Sequence, residues 1–290
     1  MISRRTLIAG AALLPGLRPL AAAAKGHLKI GVTDWNLRMT CKVEAVALAK
    51  KLGFDGVQVS IGRTLTDNKM TMDDAELIAR YRDESKKEKM PLDGTCLDRL
   101  HNDCLKNNNR DAAKRLADGI RITKALGVQV MLLPFFGKCI TEPVDFDSTA
   151  ALLRELAPEA EKAGVILGLE NTLSAEDNVR IMDKAKSAVV KVYYDVGNST
   201  RNKHDVLKEI PWLGKDRICQ IHLKDNPGYL GEGTIDFSKV LAEIRQIGFD
   251  GYANLETEAP SKVVEDDMRK NLAYVRGVMA RPAKLRLKGY

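Results

Sequence analysis

Several residue types are scarce in this chain, and each scarcity removes a class of function. Aromatic residues amount to 5%, and the basic residues form no RNA- or DNA-binding signature, so a nucleic-acid partner is not expected. Histidine occurs four times, at His27, His101, His204 and His222, too few for a multi-metal centre built on imidazoles. The five cysteines are an odd number and include no C-x-x-C pair, which argues against a thiolate zinc site. No G-x-G-x-x-G follows the first strand candidate, where the sequence instead reads Gly31-Val32-Thr33-Asp34-Trp35, so a dinucleotide fold is disfavoured. Long apolar runs are missing too. The one that stands out, Leu7 to Leu17, covers about 11 residues and is broken by Pro15 and Gly16, whereas a membrane span needs roughly 20.

That short run has another reading. Arg4-Arg5 precedes it, and Ala21-Ala22-Ala23-Ala24 then Lys25 follow it. A basic start, an apolar middle and a small-residue cleavage site describe an export signal. Residues 1–25 are therefore expected to be a twin-arginine (Tat) signal peptide, removed on export to the periplasm or the medium. The Tat machinery would be a transient partner and no stable membrane anchor would remain. Residues 1–24 hold Arg4, Arg5 and Arg18 and no acid, so net charge falls from +7 to +4 on their removal. The densest remaining basic group, Arg281, Lys284, Arg286 and Lys288, lies in a C-terminal tail, 281–290, that reads as solvated.

From residue 26 to 280 the chain alternates between short apolar runs and amphipathic segments. Strands are expected at 28–34, 56–60, 92–98, 128–134, 165–170, 190–195, 218–224 and 252–257. Near-continuous apolar character suits parallel strands covered on both faces. Helices are expected near 43–52, 73–89, 110–126, 148–163, 175–187, 203–210, 237–247 and 261–279. Eight β-then-α units in one domain indicate a closed (β/α)8 TIM barrel of the α/β class. The turn Gly-Phe-Asp-Gly occurs twice, at 53–56 and 248–251, each time between a helix and a strand. Cys96 and Cys219 fall in strands, where packing explains them. Cys41, Cys104 and Cys139 fall in loops, where one pair could oxidise; spacing does not say which.

In such a barrel the C-terminal strand ends carry the chemistry. Strands five to eight end on Glu170, Asp195, His222 and Glu256, spaced by 25, 27 and 34 residues, one βα unit each. Each alone could be a cap or a structural group. Together, three carboxylates on one rim would repel one another unless a cation neutralises them. Three oxygen ligands and one imidazole suit a single divalent metal, Mn²⁺ first, with Co²⁺, Mg²⁺ or Zn²⁺ as alternatives.

The segments LGLEN, YYDVGN, IHLKD with the following GEGTIDF, and NLETE resemble the xylose isomerase-like barrel family, whose members are described as sugar phosphate isomerases/epimerases. The resemblance spans about residues 27–280. In the ketose 3-epimerases of that family the Glu-Asp-His-Glu set binds one metal, and the first and last Glu form an acid/base pair. Glu170 and Glu256 would accordingly hold the metal and move the proton, while Asp195 and His222 would only hold the metal. Those epimerases carry His where this chain has Asn198, and Arg shortly after the ligand His where it has Lys224; these differences leave the substrate open.

The reaction implied is proton removal beside a carbonyl, with the metal stabilising the enediolate and two carboxyl groups exchanging the proton. The substrate is then a sugar or keto-sugar. With no glycine-rich phosphate loop in the sequence, a phosphorylated substrate is not indicated. A lyase or dehydratase on a keto-sugar, keto-inositol or keto-glycoside would use the same machinery. A metal-dependent phosphodiesterase of the endonuclease-like barrel type is remote, and a non-catalytic sugar-binding barrel would not need paired carboxylates. Further substrate-binding candidates are Lys224, Asn171, Asn198, Glu232 and Trp35, each with a plainer role as cap, turn or packing residue; Asp98 and His101 are rim residues. Homo-oligomerisation stays open.

Overall fold

The computed structural model describes residues 28–141, 143–225 and 227–281. The expected signal peptide, 1–25, and all but the first residue of the basic tail, 281–290, lie outside the described residues. Eight parallel strands close into a barrel: β1 Lys29–Thr33, β2 Gly56–Ser60, β3 Leu92–Cys96, β4 Val130–Pro134, β5 Ile166–Glu170, β6 Val190–Asp195, β7 Ile218–Leu223 and β8 Tyr252–Leu255. Each strand pairs with its neighbour in sequence, and β8 returns to pair with β1. Helices α1 Glu44–Leu52, α2 Ala75–Glu88, α3 Arg110–Leu126, α4 Pro143–Ala163 and α5 Ala175–Ala185 serve the first half, and α6 Val196–Arg201, α7 Val206–Arg217, α8 Phe237–Gln246 and α9 Val264–Ala280 the second. Among the described residues no helix is long and apolar enough to cross a membrane.

Local chemistry explains where these elements begin and end. The Asn109 side chain accepts from the backbone N–H groups of Asp111 and Ala112 to start α3, and Asp74 does the same for α2. Gly53 ends α1 at φ +91°, a conformation that glycine adopts without strain, and Phe54 then buries itself beneath the turn. The strand faces that meet the helices carry Ile30, Val32, Val57, Val59, Leu133, Leu167, Leu169, Ile221 and Leu255 in one continuous apolar layer.

The inside of the barrel is mixed. Cys96, Val130, Leu132 and Tyr193 form a small apolar group, with Cys219, Ile166 and Trp35 against it, which accounts for the two strand cysteines. Beside this group the interior is polar, with buried Gln58, Asp93, Gln220 and Asn254. Gly31 makes room for this layer: a Cβ there would stand 1.8 Å from Asn254 Oδ1 and 2.3 Å from Asp93 Oδ2.

Sequence expectation and structure differ at four places. A hairpin of Leu65–Thr66 with Lys69–Met70 was not foreseen; Asp67 and Asn68 at its tip both have positive φ. The short α6 was also not foreseen, since it starts directly at the end of β6 with Asp195 as its N-cap. Helix α4 begins at Pro143, five residues early, because proline is well placed in a first turn. Segment α7 runs past Pro211 to Arg217 through a break at Gly214, rather than ending at 210. Of the three loop cysteines, Cys104 and Cys139 form a disulfide with Cα atoms 4.9 Å apart, joining the loops after β3 and β4, and Cys41 is free.

The polar floor makes a measurable claim. Burial raises the Asp93 carboxyl from 3.8 to about 8, only partly opposed by the hydrogen bond from Asn254. The unfolded chain ionises this group near pH 4 while the folded chain resists, so stability from this source declines as pH rises from about 4 to about 8. Asp93→Asn removes the ionisation and keeps an acceptor for Asn254. The variant is expected to gain on wild type by on the order of 3 kcal/mol between pH 5 and pH 8 in urea unfolding. An equal difference at both values would contradict a buried, reluctant carboxyl.

Candidate metal centre

Side chains alternate along a strand, so Gln220, His222 and Lys224 share one face of β7 and its extension, as Tyr193 and Asp195 do on β6 and Asn254 and Glu256 on β8. Register then aligns them: Asp195 lies beside His222, and His222 beside Asn254. The result is that Glu170, Asp195, His222 and Glu256 each offer one ligand atom, all within 4.8 Å of one another. From His222 Nδ1, Glu170 Oε1 is 3.1 Å away, Glu256 Oε2 3.6 Å and Asp195 Oδ2 3.8 Å. Ligands held about 2.1 Å from one ion stand at most about 4.2 Å apart, so the cluster is within a small closure of a single coordination sphere.

Neighbouring donors fix the carboxylates. The Asn198 backbone N–H donates to Asp195 Oδ1 at 2.7 Å, and its side-chain amide donates to Glu170 Oε1 at 3.3 Å. Trp35 Nε1 donates to Glu256 Oε1 at 3.0 Å. That leaves Asp195 Oδ2 and Glu256 Oε2, both buried, to Lys224 Nζ, which stands 3.1 Å from the first and in closer contact with the second. One ammonium thus serves two carboxylate oxygens that also face an imidazole nitrogen, with a third carboxylate beside them, and a divalent cation would make good the missing positive charge. The residues therefore fit the metal.

Electrostatics at the cluster follow from crowding. Burial raises the Glu170 carboxyl; His222 opposes this, and Glu256 and Asp195 add to it. Burial also works against ionising Asp195, but Lys224 and His222 outweigh it and hold that carboxyl below its usual range. For His222, burial favours the neutral ring, yet Glu256 and Glu170 prevail and raise its affinity for a proton. Lys224 is likewise raised, because Asp195 and Glu256 outweigh its burial.

The sequence-derived substrate candidates divide. Trp35, Asn198 and Lys224 touch the ligand carboxylates directly. Asn171 is turned away into a reciprocal amide pair with Asn178, at 2.8 and 3.1 Å, and also caps Leu173 N. Glu232 is exposed and pairs with Lys270 of α9 at 2.9 Å. On the rim, Asp98 bonds to Ser60 Oγ at 2.5 Å, and His101 stacks on Phe136 with centroids 5.6 Å apart, beside the Cys104–Cys139 bridge. Sequence reading missed Gln58 and Tyr193. Gln58 Oε1 lies 2.9 Å from His222 Nε2 and accepts from the Tyr193 hydroxyl at 3.1 Å. Both sit in mid-strand, where nothing in one dimension sets them apart.

Comparison with known proteins follows the same lines. A 2-epi-5-epi-valiolone 7-phosphate 2-epimerase of Actinoplanes sp. is 28% identical over 216 residues, covering 71% of this chain and 76% of that protein. The structure of D-psicose 3-epimerase with D-tagatose from Clostridium cellulolyticum H10 superposes with a TM-score of 0.72 at 17% identity, covering 87% of this chain and 99% of that one. A 3-keto-D-glucoside 4-epimerase from E. coli gives 0.70 at 17% identity, covering 86% and 99%. The family model described as xylose isomerase-like TIM barrel matches residues 46–277, and the chain belongs to that family.

Proposed function

We propose that this protein is an exported, divalent-metal-dependent isomerase or epimerase of a hydroxy-ketone sugar, with Glu170 and Glu256 as its acid/base pair. The observation that carries the reading is the convergence of Glu170, Asp195, His222 and Glu256 on one point, three carboxylates and an imidazole with a single lysine among them. When bound there, a divalent cation would polarise the substrate carbonyl and offset negative charge developing on its oxygens. Mn²⁺ suits three carboxylates and one imidazole best, and Co²⁺, Mg²⁺ or Zn²⁺ are the alternatives.

The chain's own residues supply the rest. Glu170 comes from β5 and Glu256 follows β8, so the two carboxylates approach from the outer strands of the four-strand set. Each has one oxygen held by a side-chain donor, Asn198 for Glu170 and Trp35 for Glu256. A carboxylate held in that way can take a proton from the carbon beside a carbonyl without first reorienting, and its counterpart can return one to the other face. Lys224 keeps a positive charge next to Glu256 and Asp195, where a sugar oxygen can also reach it. Sugar epimerase activity among relatives supports this reading: one acts on a valiolone phosphate by its name, and fold neighbours include psicose and 3-keto-glucoside epimerases. A sugar without phosphate fits export and the absence of a glycine-rich phosphate loop from the sequence. The Cys104–Cys139 disulfide also suits an oxidising compartment.

Three measurements test the proposal. Elemental analysis should find about one divalent metal per chain, and chelation should abolish activity that Mn²⁺ restores; full activity without metal would defeat it. With ketoses, 3-keto-sugars and inososes in D₂O, the substrate should gain deuterium without fragmenting, whereas loss of water or an alcohol would identify elimination. Glu170→Gln and Glu256→Gln should each lower turnover by at least ~10²-fold with the fold intact, and an active Glu256→Gln protein would remove the acid/base assignment. Export is tested separately: lysine at both Arg4 and Arg5 should leave unprocessed precursor in the cytoplasm, and normal processing would refute the twin-arginine route.

A further inference from the structure

The imidazole of His222 has two nitrogens with opposite surroundings. Nδ1 faces Glu170, Asp195 and Glu256, all acceptors, at 3.1, 3.8 and 3.6 Å. Nε2 faces Gln58 Oε1, at 2.9 Å. Which nitrogen of the neutral ring carries the proton is therefore contested between the carboxylates on one side and what Gln58 presents on the other.

Two independent contacts settle the orientation of the Gln58 amide. Its Nε2 donates to the backbone carbonyl of Thr95 at 3.4 Å, and a carbonyl can only accept. Its Oε1 accepts from the Tyr193 hydroxyl at 3.1 Å, and that hydroxyl has its proton free for Gln58 because its lone pair receives Asn254 Nδ2 at 3.1 Å. Asn254 in turn is held by Asp93 Oδ1, at 3.1 Å. The oxygen of Gln58, not its nitrogen, is thus turned to His222, and the imidazole must donate from Nε2. A neutral ring that donates from Nε2 places its Nδ1 lone pair among three carboxylates, a repulsive arrangement unless a cation lies between them.

We propose that Gln58 is a positioning residue for the metal site: its carbonyl oxygen, fixed by Thr95 and Tyr193, holds His222 as the Nε2–H tautomer so that Nδ1 is the metal ligand. This inference rests on the metal-site reading above. Gln58 touches neither metal nor substrate. It acts through the imidazole, by removing the competing tautomer and by fixing the ring plane, and its anchor is the polar floor of the barrel rather than the mouth. The device explains why an amide, a hydroxyl and an aspartate are buried beneath the site in a position where apolar residues would pack at lower cost.

The test combines a spectrum with a binding constant. Protein labelled with ¹⁵N-histidine and loaded with diamagnetic Mg²⁺ or Zn²⁺ is expected to show His222 protonated at Nε2 and unprotonated at Nδ1 in long-range ¹H–¹⁵N correlation, with the signal assigned by its loss in His222→Asn. Isothermal titration with Mn²⁺ should find affinity lowered about 10–100-fold in Gln58→Leu. In Gln58→Glu, which retains the acceptor, affinity should stay within several-fold of wild type. A wild-type His222 that is protonated at Nδ1 would overturn the proposal without any variant, even if Gln58→Leu fails to fold. A folded Gln58→Leu protein with wild-type affinity would overturn it as well, while leaving the metal site intact. Wild-type protein that binds neither Mn²⁺ nor Mg²⁺ would overturn the metal reading itself, an outcome distinct from a folded Gln58→Leu protein that binds metal as wild type does.

Discussion

Everything at the mouth of this barrel is arranged around one electrostatic problem: three carboxylates and an imidazole nitrogen brought within 4.8 Å of one another in a site nearly closed to water. Placed together in low dielectric, such groups repel strongly enough to force protonation or to open the site. The chain answers with fixed partners. Asn198 spans two ligands, its N–H to Asp195 and its amide to Glu170, which is why a short helix begins directly at the end of β6. Trp35 takes one oxygen of Glu256, and Lys224 lends a positive charge to Asp195 and Glu256 together. One lysine still serves three carboxylates, and Asp195 Oδ2 and Glu256 Oε2 lie within 3.8 Å of His222 Nδ1, an arrangement that could hold a cation.

The fold serves that arrangement by register. Ligands on adjacent parallel strands meet only if equivalent positions line up and point inward, and pairing of Asp195 with His222 and His222 with Asn254 achieves this. A slip of one residue in β7 would turn His222 into the apolar layer under the helices and bring Ile221 or Leu223 inward. The alternation Gln220, His222, Lys224 therefore carries three levels of one site: floor, ligand and charge partner.

That alternation also explains what the sequence could reveal. Strand boundaries were legible to within about two residues, because a covered parallel strand leaves a short apolar run and little else. The candidate ligands were legible because Glu170, Asp195, His222 and Glu256 each break such a run at its C-terminal end, one βα unit apart. Gln58 and Tyr193 were not, since a polar or aromatic residue in the middle of a strand reads the same whether it faces the barrel axis or the helices. Asn171 follows the candidate ligand Glu170 immediately, and the one-residue step between them turns its amide to Asn178 in the first turn of α5, a contact that strand spacing does not reveal. The disulfide partner of Cys104 was undecidable in one dimension, because Cys41 and Cys139 also lie in loops on the same rim. The segment after Pro211 was misjudged because proline stops a helix in general, whereas here the chain carries the turn onward to Gly214.

The barrel thus has a chemical gradient along its axis. At the mouth, carboxylates crowd around His222; beneath them, Asp93 and Asn254 oxygens stand where a Gly31 side chain would otherwise be. Between the two ends lie Gln58 and Tyr193, whose hydrogen bonds leave little freedom at either side. Filling this interior with aliphatic residues would favour stability, as interiors of comparable barrels show. It would also leave His222 Nε2 with no acceptor, and an imidazole without one is free to choose its tautomer and its tilt. On the proposed reading the polar floor supports His222 above it rather than the core, and the cost in stability falls on Asp93, at the far end of that hydrogen-bonded series from the candidate metal site.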